Sequence, residues 1–215
     1  MARRRNEPIF FENEADDNHC LQAAIMIVLN SLGHPVRRDH VNAGTQFEKS
    51  LYSWTIQGAA YIAEFTPGVR MYSDLDYRRF ANEGESYLQS TMSPDWFSLQ
   101  KSKASKNFEK EQTAAQFFME RGIFENKHPS KKEMFEALDK HLLISLTALE
   151  RLYPERKPNA HFIVLYASDG DMVWLHDPGL PPKRSVRLKQ QHFYDAYQGD
   201  LVMVPLGNHK FGWVE

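Results

Sequence analysis

The stretch of residues 12–33 constrains the fold most, because its character changes abruptly at Cys20. Before Cys20 the stretch is polar, whereas within Cys20–Leu29 only Gln22 is polar. A helix that is apolar on every side is buried, unlike an amphipathic helix at a surface. The run is also longer than a typical strand. We therefore predict a buried central helix over Leu21–Gly33.

Both ends of this helix have residues that suit caps. Asp16, Asp17 and Asn18 are candidate N-caps, because their side chains accept hydrogen bonds from unpaired backbone N–H groups. Gly33 is the expected residue just beyond the C-terminus. The single cysteine, Cys20, then lies in the first turn, where free N–H groups and the helix dipole favour a thiolate.

The composition predicts an ordinary globular domain. The 215 residues are 42% hydrophobic and 25% charged, which suits one domain, residues 1–215, with a sizeable core. A net charge of −2 gives no reason to expect nucleic acid or an anionic membrane as a partner. The N-terminus lacks the apolar region of a secretory signal, and no run reaches the ~18 apolar residues of a membrane span. With a single cysteine, we expect a cytoplasmic location.

No cofactor or metal site is expected from the motifs present. The nine histidines lack the closely spaced ligand pairs that are typical of structural zinc. A glycine-rich phosphate-binding loop is also missing from the sequence.

Helices precede strands along the chain. The part at about residues 13–141 has mainly helical periodicity, and Ser130 and Glu133 form a capping box that starts one helix. The part at about residues 142–206 contains short apolar runs of strand length. The predicted strands are Leu142–Ala148, His161–Ala167, Met172–His176, Lys183–Leu188 and Leu201–Pro205. This segregation predicts an α+β fold, with the helical part packed on an antiparallel sheet.

Two of these strands form a hairpin with chemically reactive residues at its open end. His161 begins one strand and Asp177 ends the next. A two-residue Asp-Gly turn would pair Phe162 with Asp177 and send His161 to the other face. A three-residue loop, with Gly170 as a left-handed bulge residue, would place His161 directly opposite Asp177. Such neighbours lie ~4.5–5.5 Å apart at Cβ, so we predict the three-residue loop.

Each of these residues also has a plain structural explanation. Cys20 can be a core residue, His161 a hydrogen-bonded residue at a strand start, and Asp177 the first residue of a turn. His176, next to Asp177, points to the opposite face of a regular strand and is interpreted as structural. Together, however, Cys20, His161 and Asp177 match the nucleophile, base and orienting carboxylate of covalent catalysis.

Three strings of residues resemble the papain-like cysteine peptidase superfamily, in particular the double-glycine leader peptidases and their stand-alone relatives. DNHCLQAAIMIVLNSLG resembles the nucleophile helix of that family. HFIVLYASDGDMVWLHDPG resembles its His-Phe-Val-Val…His-Asp-Pro-Gly hairpin, including the His-to-Asp spacing. PSKKEMFEALDKHLLISLT resembles the helix and strand that lead into the hairpin. The resemblance implies a papain-like fold, in which Cys20 is the nucleophile, His161 the general base and Asp177 its orienting partner.

The family pattern is broken at the oxyanion hole. In that family the cysteine N–H acts together with a Gln six residues upstream, but here Glu14 occupies that position. An ionised carboxylate cannot donate a hydrogen bond, and the loss of one oxyanion donor costs ~10²–10³ in rate. A protonated Glu14, Asn13 or Asn18 are the alternative donors. Leu21 also replaces a family Gly next to the nucleophile.

The sequence therefore favours a thiol hydrolase that cleaves a peptide or amide bond through an acyl-enzyme at Cys20. Transfer of the same acyl group to an amine would make it an acyltransferase. A third hypothesis is a pseudo-peptidase binding module, which Glu14 favours. A fourth is a structural α+β domain with an inert cysteine.

Overall fold

The computed structural model describes residues 4–214, with side chains from Asn6 to Gly212. The helices are α1 (Cys20–Ser31), α2 (Arg38–Gly44), α3 (Thr55–Ala63), α4 (Tyr77–Glu83), α5 (Glu85–Thr91), α6 (Pro94–Lys103), α7 (Glu109–Arg121), α8 (Lys131–Glu136), α9 (Leu149–Leu152) and α10 (Gln190–Ala196). The strands are β1 (Arg4–Asn6), β2 (Arg70–Tyr72), β3 (Ile123–Glu125), β4 (His141–Ala148), β5 (Ala160–Asp169), β6 (Met172–Asp177), β7 (Lys183–Lys189), β8 (Tyr197–Pro205) and β9 (Gly212–Val214). Helices dominate the first two-thirds and strands the last third, which confirms the predicted α+β class.

Seven strands form one sheet in the order β3-β2-β8-β4-β5-β6-β7. Neighbouring strands are antiparallel, except that β2 and β3 are parallel. These two short strands come from the mainly helical part of the chain and extend the sheet beyond β8. The terminal strands β1 and β9 pair separately in a two-stranded antiparallel ribbon.

Helix α1 is the buried central helix that the sequence predicts. Every residue of Leu21–Leu29 is buried, including the polar Gln22. The helix lies against α2, α3 and β5. Its apolar side chains join a core between the helices and one face of the sheet. This burial fixes Cys20, which is the first helical residue.

The N-terminus of α1 differs from the prediction. The N-cap residue is His19, which makes no capping hydrogen bond through its side chain within residues 4–214. The prediction of Asp16, Asp17 or Asn18 as the N-cap is therefore wrong. These residues form a turn instead, in which Asp16 Oδ1 accepts a hydrogen bond from the Asn18 N–H and lies 3.2 Å from His19 Nδ1.

The C-terminus of α1 agrees with the prediction. Gly33 has a φ of 80°, a left-handed conformation that favours glycine. Its N–H donates to the Asn30 carbonyl at 3.2 Å, and the His34 N–H donates to the Leu29 carbonyl at 2.9 Å. These two bonds form a Schellman motif, which satisfies carbonyls that the helix itself leaves unpaired.

A second core lies on the opposite face of the sheet. Ile163 of β5 and Leu175 of β6 pack there with Phe135 of α8. The capping box predicted at the start of α8 is confirmed. The Ser130 hydroxyl accepts from the Glu133 N–H at 3.2 Å, and the Glu133 carboxylate accepts from the Ser130 N–H at 2.8 Å.

The helices are short. The longest in the described part of the chain is α7, with 13 residues. Within residues 4–214, no helix has the length and apolar character that crossing a membrane requires.

Candidate active site

A hydrogen-bonded histidine and aspartate lie buried at the open end of the β5–β6 hairpin. His161 Nε2 is 2.6 Å from Asp177 Oδ1, and both side chains are only 4% exposed. Asp177 Oδ1 also accepts a hydrogen bond from the Gly179 N–H at 2.9 Å. The carboxylate thereby fixes the imidazole so that Nδ1 faces away from Asp177.

The loop of this hairpin is shorter than predicted, so the three-residue loop is wrong. Asp169 pairs with Met172, which leaves Gly170 and Asp171 as a two-residue turn. Gly170 has a φ of 58°, the sign that a type II′ hairpin turn requires at its first central position.

A β-bulge at Tyr166 changes the register after this turn. Ala167 pairs with Trp174, whereas Leu165 pairs with Leu175, so Tyr166 is an extra residue on β5. A one-residue shift in register exchanges the faces on which all later side chains lie. The two-residue turn alone would place the side chains of His161 and Asp177 on opposite faces of the sheet. With the bulge, they lie on the same face.

The bulge is the reason that His161 and Asp177 meet. Beyond it, Val164 pairs with His176, so the continued register brings Ile163 opposite Asp177. His161 is then the diagonal neighbour of Asp177 on the same face, within reach of a long side chain. The predicted direct pairing of His161 with Asp177 is wrong, although the two side chains are in contact.

Cys20 lies next to this pair. It is half-buried at the first position of α1. Its side chain interacts with the His161 imidazole. Because Asp177 occupies Nε2, Nδ1 is the ring nitrogen left to face the sulfur. The structure thus brings together the three residues that the sequence singles out.

The charge on His161 is stabilised by its two neighbours. Burial lowers the pKa of His161, but the hydrogen bond to Asp177 and the interactions with Cys20 outweigh burial and raise it to about 10. Burial raises the pKa of Asp177, but His161 and the Gly179 N–H outweigh it and bring the pKa below its ordinary value. At neutral pH the pair is an imidazolium beside a carboxylate.

Two residues that the sequence does not single out complete this side of the site. The Tyr153 hydroxyl is buried beside Asp177, and burial followed by that carboxylate raises the pKa of Tyr153. The interaction with this hydroxyl in turn lowers the pKa of Asp177. Lys183 Nζ lies 3.4 Å from the centroid of the Tyr153 ring. Nothing local in the sequence marks Tyr153, because its role depends on the fold of the β4–β5 connection.

Gly179 allows the turn after β6 to approach the imidazole closely. A Cβ atom at this position would lie 2.7 Å from His161 Cε1 and 2.8 Å from His161 Nε2. It would also lie 3.1 Å from Asp177 Oδ1. The Asp-Pro-Gly string contains this residue, but only the tertiary structure shows that its small size serves His161.

Glu14, at the expected oxyanion position, is paired with an arginine. Its Oε1 lies 2.9 Å from Arg38 Nε, and its side chain is 51% exposed. Arg38 also donates from Nη2 to the Glu12 carbonyl at 2.6 Å. A carboxylate that accepts from a guanidinium offers no proton to an oxyanion.

The two other candidate donors differ in their surroundings. Asn18 is exposed, and its Nδ2 donates to the Asp16 carbonyl at 2.8 Å. Asn13 is only 7% exposed, and its Nδ2 donates to Asp17 Oδ1 at 2.8 Å. The Asn13 backbone N–H donates to the Pro178 carbonyl at 2.8 Å. Asn13 therefore joins the loop before Cys20 to the turn after Asp177.

His176 serves the scaffold on the other face of β6. Its Nε2 lies 3.1 Å from the Pro8 carbonyl, and its Nδ1 accepts from the Ser185 N–H at 3.1 Å. These contacts tie the N-terminal segment and β7 to β6. Over residues 4–214, no group of three His, Cys, Asp or Glu side chains is placed to hold a metal ion.

Two of the solved structures similar to this chain are peptidase domains. One is a double glycine motif protease from an AMS/PCAT transporter in complex with the leader peptide, with a TM-score of 0.48, 13% identity, and coverage of 95% of this chain and 96% of that chain. The other is the peptidase domain of Streptococcus ComA, a bi-functional ABC transporter involved in a quorum sensing pathway, with a TM-score of 0.49, 10% identity, and coverage of 92% and 98%. No family model and no curated protein matches the chain.

Proposed function

We propose that this chain is a cysteine peptidase-like hydrolase that cleaves a peptide or amide bond through an acyl-enzyme at Cys20. The observation that carries the proposal is the buried pair of His161 Nε2 and Asp177 Oδ1, 2.6 Å apart, together with the interaction of the same imidazole with the Cys20 side chain. A histidine between a carboxylate and a thiol is the arrangement that an activated cysteine nucleophile requires.

In the first half of the reaction, the Cys20 thiolate attacks the scissile carbonyl carbon. The S–C bond forms, and the carbonyl electrons move to the oxygen. When this tetrahedral intermediate collapses, the C–N bond breaks. The amine leaves with the proton that His161 Nδ1 carried, while Asp177 keeps the ring in place through Nε2.

In the second half, His161 Nδ1 accepts a proton from water as the water oxygen attacks the thioester. The S–C bond breaks, the acid is released, and the thiolate and imidazolium are restored. An amine in place of water would give an amide by the same steps, so acyl transfer uses the same residues.

The oxyanion is best stabilised by the start of α1. The backbone N–H of Cys20 belongs to the first turn, whose N–H groups have no partner inside the helix. The positive end of the helix dipole adds to this stabilisation. Glu14 supplies no donor, because its carboxylate faces Arg38.

The orientation of Glu14 also favours a second candidate function. A papain-like chain with a weakened oxyanion hole could act as a pseudo-peptidase that binds a peptide without cleaving it. The two candidates share the substrate class, a peptide or amide-containing molecule. Both predict ligand binding, but only the hydrolase predicts an acyl group on Cys20.

The proposed chemistry needs a reduced thiol. A reducing compartment such as the cytoplasm keeps a lone cysteine in this state. The net charge of −2 gives neither nucleic acid nor an anionic membrane an electrostatic advantage as a partner.

The proposal is tested first by the rate of Cys20 alkylation with iodoacetamide at pH 5–9. Because the chain has one cysteine, every alkylated protein is labelled at Cys20. A thiolate paired with His161 reacts well below ~8.5, the pKa of a free thiol. His161→Ala should remove this reactivity, and Asp177→Asn should reduce it.

Acylation is tested next, by mass spectrometry after mixing with activated peptide esters. A transient mass increase that is absent in Cys20→Ala supports the hydrolase. Reactivity that depends on His161 without any acyl-enzyme supports the pseudo-peptidase. Slow alkylation that is unchanged in His161→Ala overturns both the dyad and the enzyme.

A further inference from the structure

Asn13 is the first residue of the loop before Cys20 and is held there by four hydrogen bonds. Its Oδ1 accepts from the Glu14 N–H at 2.9 Å and from the His19 N–H at 2.8 Å. Its Nδ2 donates to Asp17 Oδ1 at 2.8 Å. The residue is 7% exposed, so water has little access to replace these partners.

The side chain of Asn13 closes the loop of residues 13–19 on itself. The bond to the His19 N–H fixes the residue immediately before Cys20. The bond to Asp17 holds a residue whose φ of 55° is left-handed, a conformation that few side chains favour. The amide therefore determines where α1 begins and how the first N–H groups of the helix are directed.

The backbone of Asn13 connects this loop to the other half of the site. Its N–H donates to the Pro178 carbonyl at 2.8 Å. Pro178 lies between Asp177 and Gly179, which both contact the imidazole side of the site. One residue thus joins the segment that carries the nucleophile to the segment that carries the carboxylate.

The neighbours of Asn13 are anchored as well. Arg38 donates to the Glu12 carbonyl, and its guanidinium pairs with the Glu14 carboxylate. Asn13 therefore lies between two residues that α2 holds in place. This arrangement gives Glu14 a structural role and leaves the alignment of the site to Asn13.

We propose that Asn13 is a positioning residue, whose side-chain amide holds the Cys20 sulfur and N–H in line with His161. The inference rests on the proposed function, because alignment has a purpose only if Cys20 reacts. A misplacement of about 1 Å in a reacting group can cost on the order of 100-fold in rate.

The hydrogen-bond chemistry of the pair Asn13 and Asp17 provides a sharp test. Asn13→Asp keeps an acceptor for the N–H groups of Glu14 and His19. Its second carboxylate oxygen, however, faces the Asp17 carboxylate, and the two negative groups repel each other. Asp17→Asn alone keeps the contact, because its amide oxygen accepts from Asn13 and Asn is tolerated in the left-handed region. In the double variant N13D/D17N, the donor and the acceptor are exchanged and the bond is restored.

The experiment measures alkylation of Cys20 by iodoacetamide from pH 5 to 9 for these three variants and the native chain. Asn18→Asp is the matched control, because Asn18 is in the same loop but is exposed, and its hydrogen bonds among the described residues are with Asp16. Thermal unfolding of each variant separates misalignment from loss of the fold.

The proposal predicts that Asn13→Asp slows alkylation at pH 6–7 by about tenfold or more. Asp17→Asn and Asn18→Asp should remain within about threefold of the native rate, and the double variant should recover to the rate of Asp17→Asn. The thermal midpoint of the double variant should also recover.

Three outcomes would overturn the inference. One is native reactivity in Asn13→Asp, and another is failure of the double variant to recover. The third is an equal loss in the control Asn18→Asp. If reactivity depends on His161 but not on Asn13, the inference fails and the proposed function stands. If His161→Ala has no effect on alkylation, the proposed function itself fails.

Discussion

Glu14 Oε1 lies 2.9 Å from Arg38 Nε, so the residue six positions before Cys20 is held by a guanidinium at the surface of the site. The resemblance to papain-like peptidases places an oxyanion donor at this position. The ion pair explains how a carboxylate is accommodated there without a buried, unpaired charge. It also predicts how the position responds to substitution.

We expect that Glu14→Gln does not increase peptide-ester turnover. The Gln side chain can still accept from Arg38 through Oε1, so it has no reason to turn its amide toward the substrate. The stability should change by only ~0–1 kcal/mol, because the ion pair is partly exposed. Peptide-ester turnover and urea unfolding check both statements. Glu12→Gln is the control, because Glu12 meets Arg38 through its backbone carbonyl. A tenfold gain in turnover would contradict this reading.

We expect Gly179→Ala to damage the site directly. Its new Cβ would lie 2.7 Å from His161 Cε1, so the imidazole or the turn must move. Overpacking of this kind costs ~1–3 kcal/mol, and the displaced imidazole should slow Cys20 alkylation by about tenfold or more.

The control for Gly179→Ala is a glycine whose replacement also strains the fold. Gly207 has a φ of 57°, and a Cβ there would have no described atom within 4 Å. Gly207→Ala should lower the free energy of unfolding by ~1–2 kcal/mol and leave alkylation unchanged. Equal losses of reactivity in both variants would refute a specific role for Gly179.

The raised pKa of His161 makes stability depend on pH. The ordinary pKa of a histidine, 6.5, applies to the unfolded chain, whereas the pKa of His161 in the folded chain is about 10. The protonated ring therefore stabilises the fold fully below about pH 6.5, and this contribution is lost as the pH rises through about 10. Urea unfolding of the native chain and of His161→Ala should give free energies that converge between pH 6.5 and 10. Parallel curves over this range would contradict the raised value.

The hairpin shows where prediction from sequence succeeds and where it stops. Strand periodicity places His161 and Asp177 at the open end, and their side chains do meet. The turn chemistry of Gly170 is compatible with two- and three-residue loops, so local residues do not determine the register. The deciding bulge is at Tyr166. Its ring centroid lies 4.8 Å from that of His176, and its hydroxyl oxygen lies 2.9 Å from Ser185 Oγ. These partners are on β6 and β7, so the bulge depends on tertiary contacts.

The start of α1 gives the same result. Gly33 is predictable because a left-handed residue at a helix end is a local requirement. The N-terminal turn is not predictable in this way. Its geometry depends on Asn13, whose Oδ1 accepts from the His19 N–H and whose backbone N–H donates to the distant Pro178 carbonyl. Asp16, Asp17 and Asn18 precede the helix and suggest N-caps, but their side chains form hydrogen bonds within the loop instead. Long-range partners of this kind are invisible to local propensity.

The last prediction concerns a carboxylate away from the cysteine. Asp200 of β8 accepts hydrogen bonds from Ser73 Oγ at 2.6 Å and from Thr55 Oγ1 at 2.5 Å, and thereby joins β8 to the start of α3. Burial raises the pKa of Asp200, and these two bonds only partly offset it. The folded chain therefore binds a proton more readily than the unfolded chain at this residue.

The sign of the resulting pH dependence follows from linkage. Between the reference pKa of 3.8 and the raised pKa in the folded chain, the folded state holds more protons, so stability falls as the pH rises. Asp200→Asn removes this dependence, because an amide does not titrate. Its free energy of unfolding, relative to the native chain, should increase from pH 3.5 to 7. A constant difference between Asp200→Asn and the native chain would mean that Asp200 ionises as readily in the folded chain as in the unfolded one.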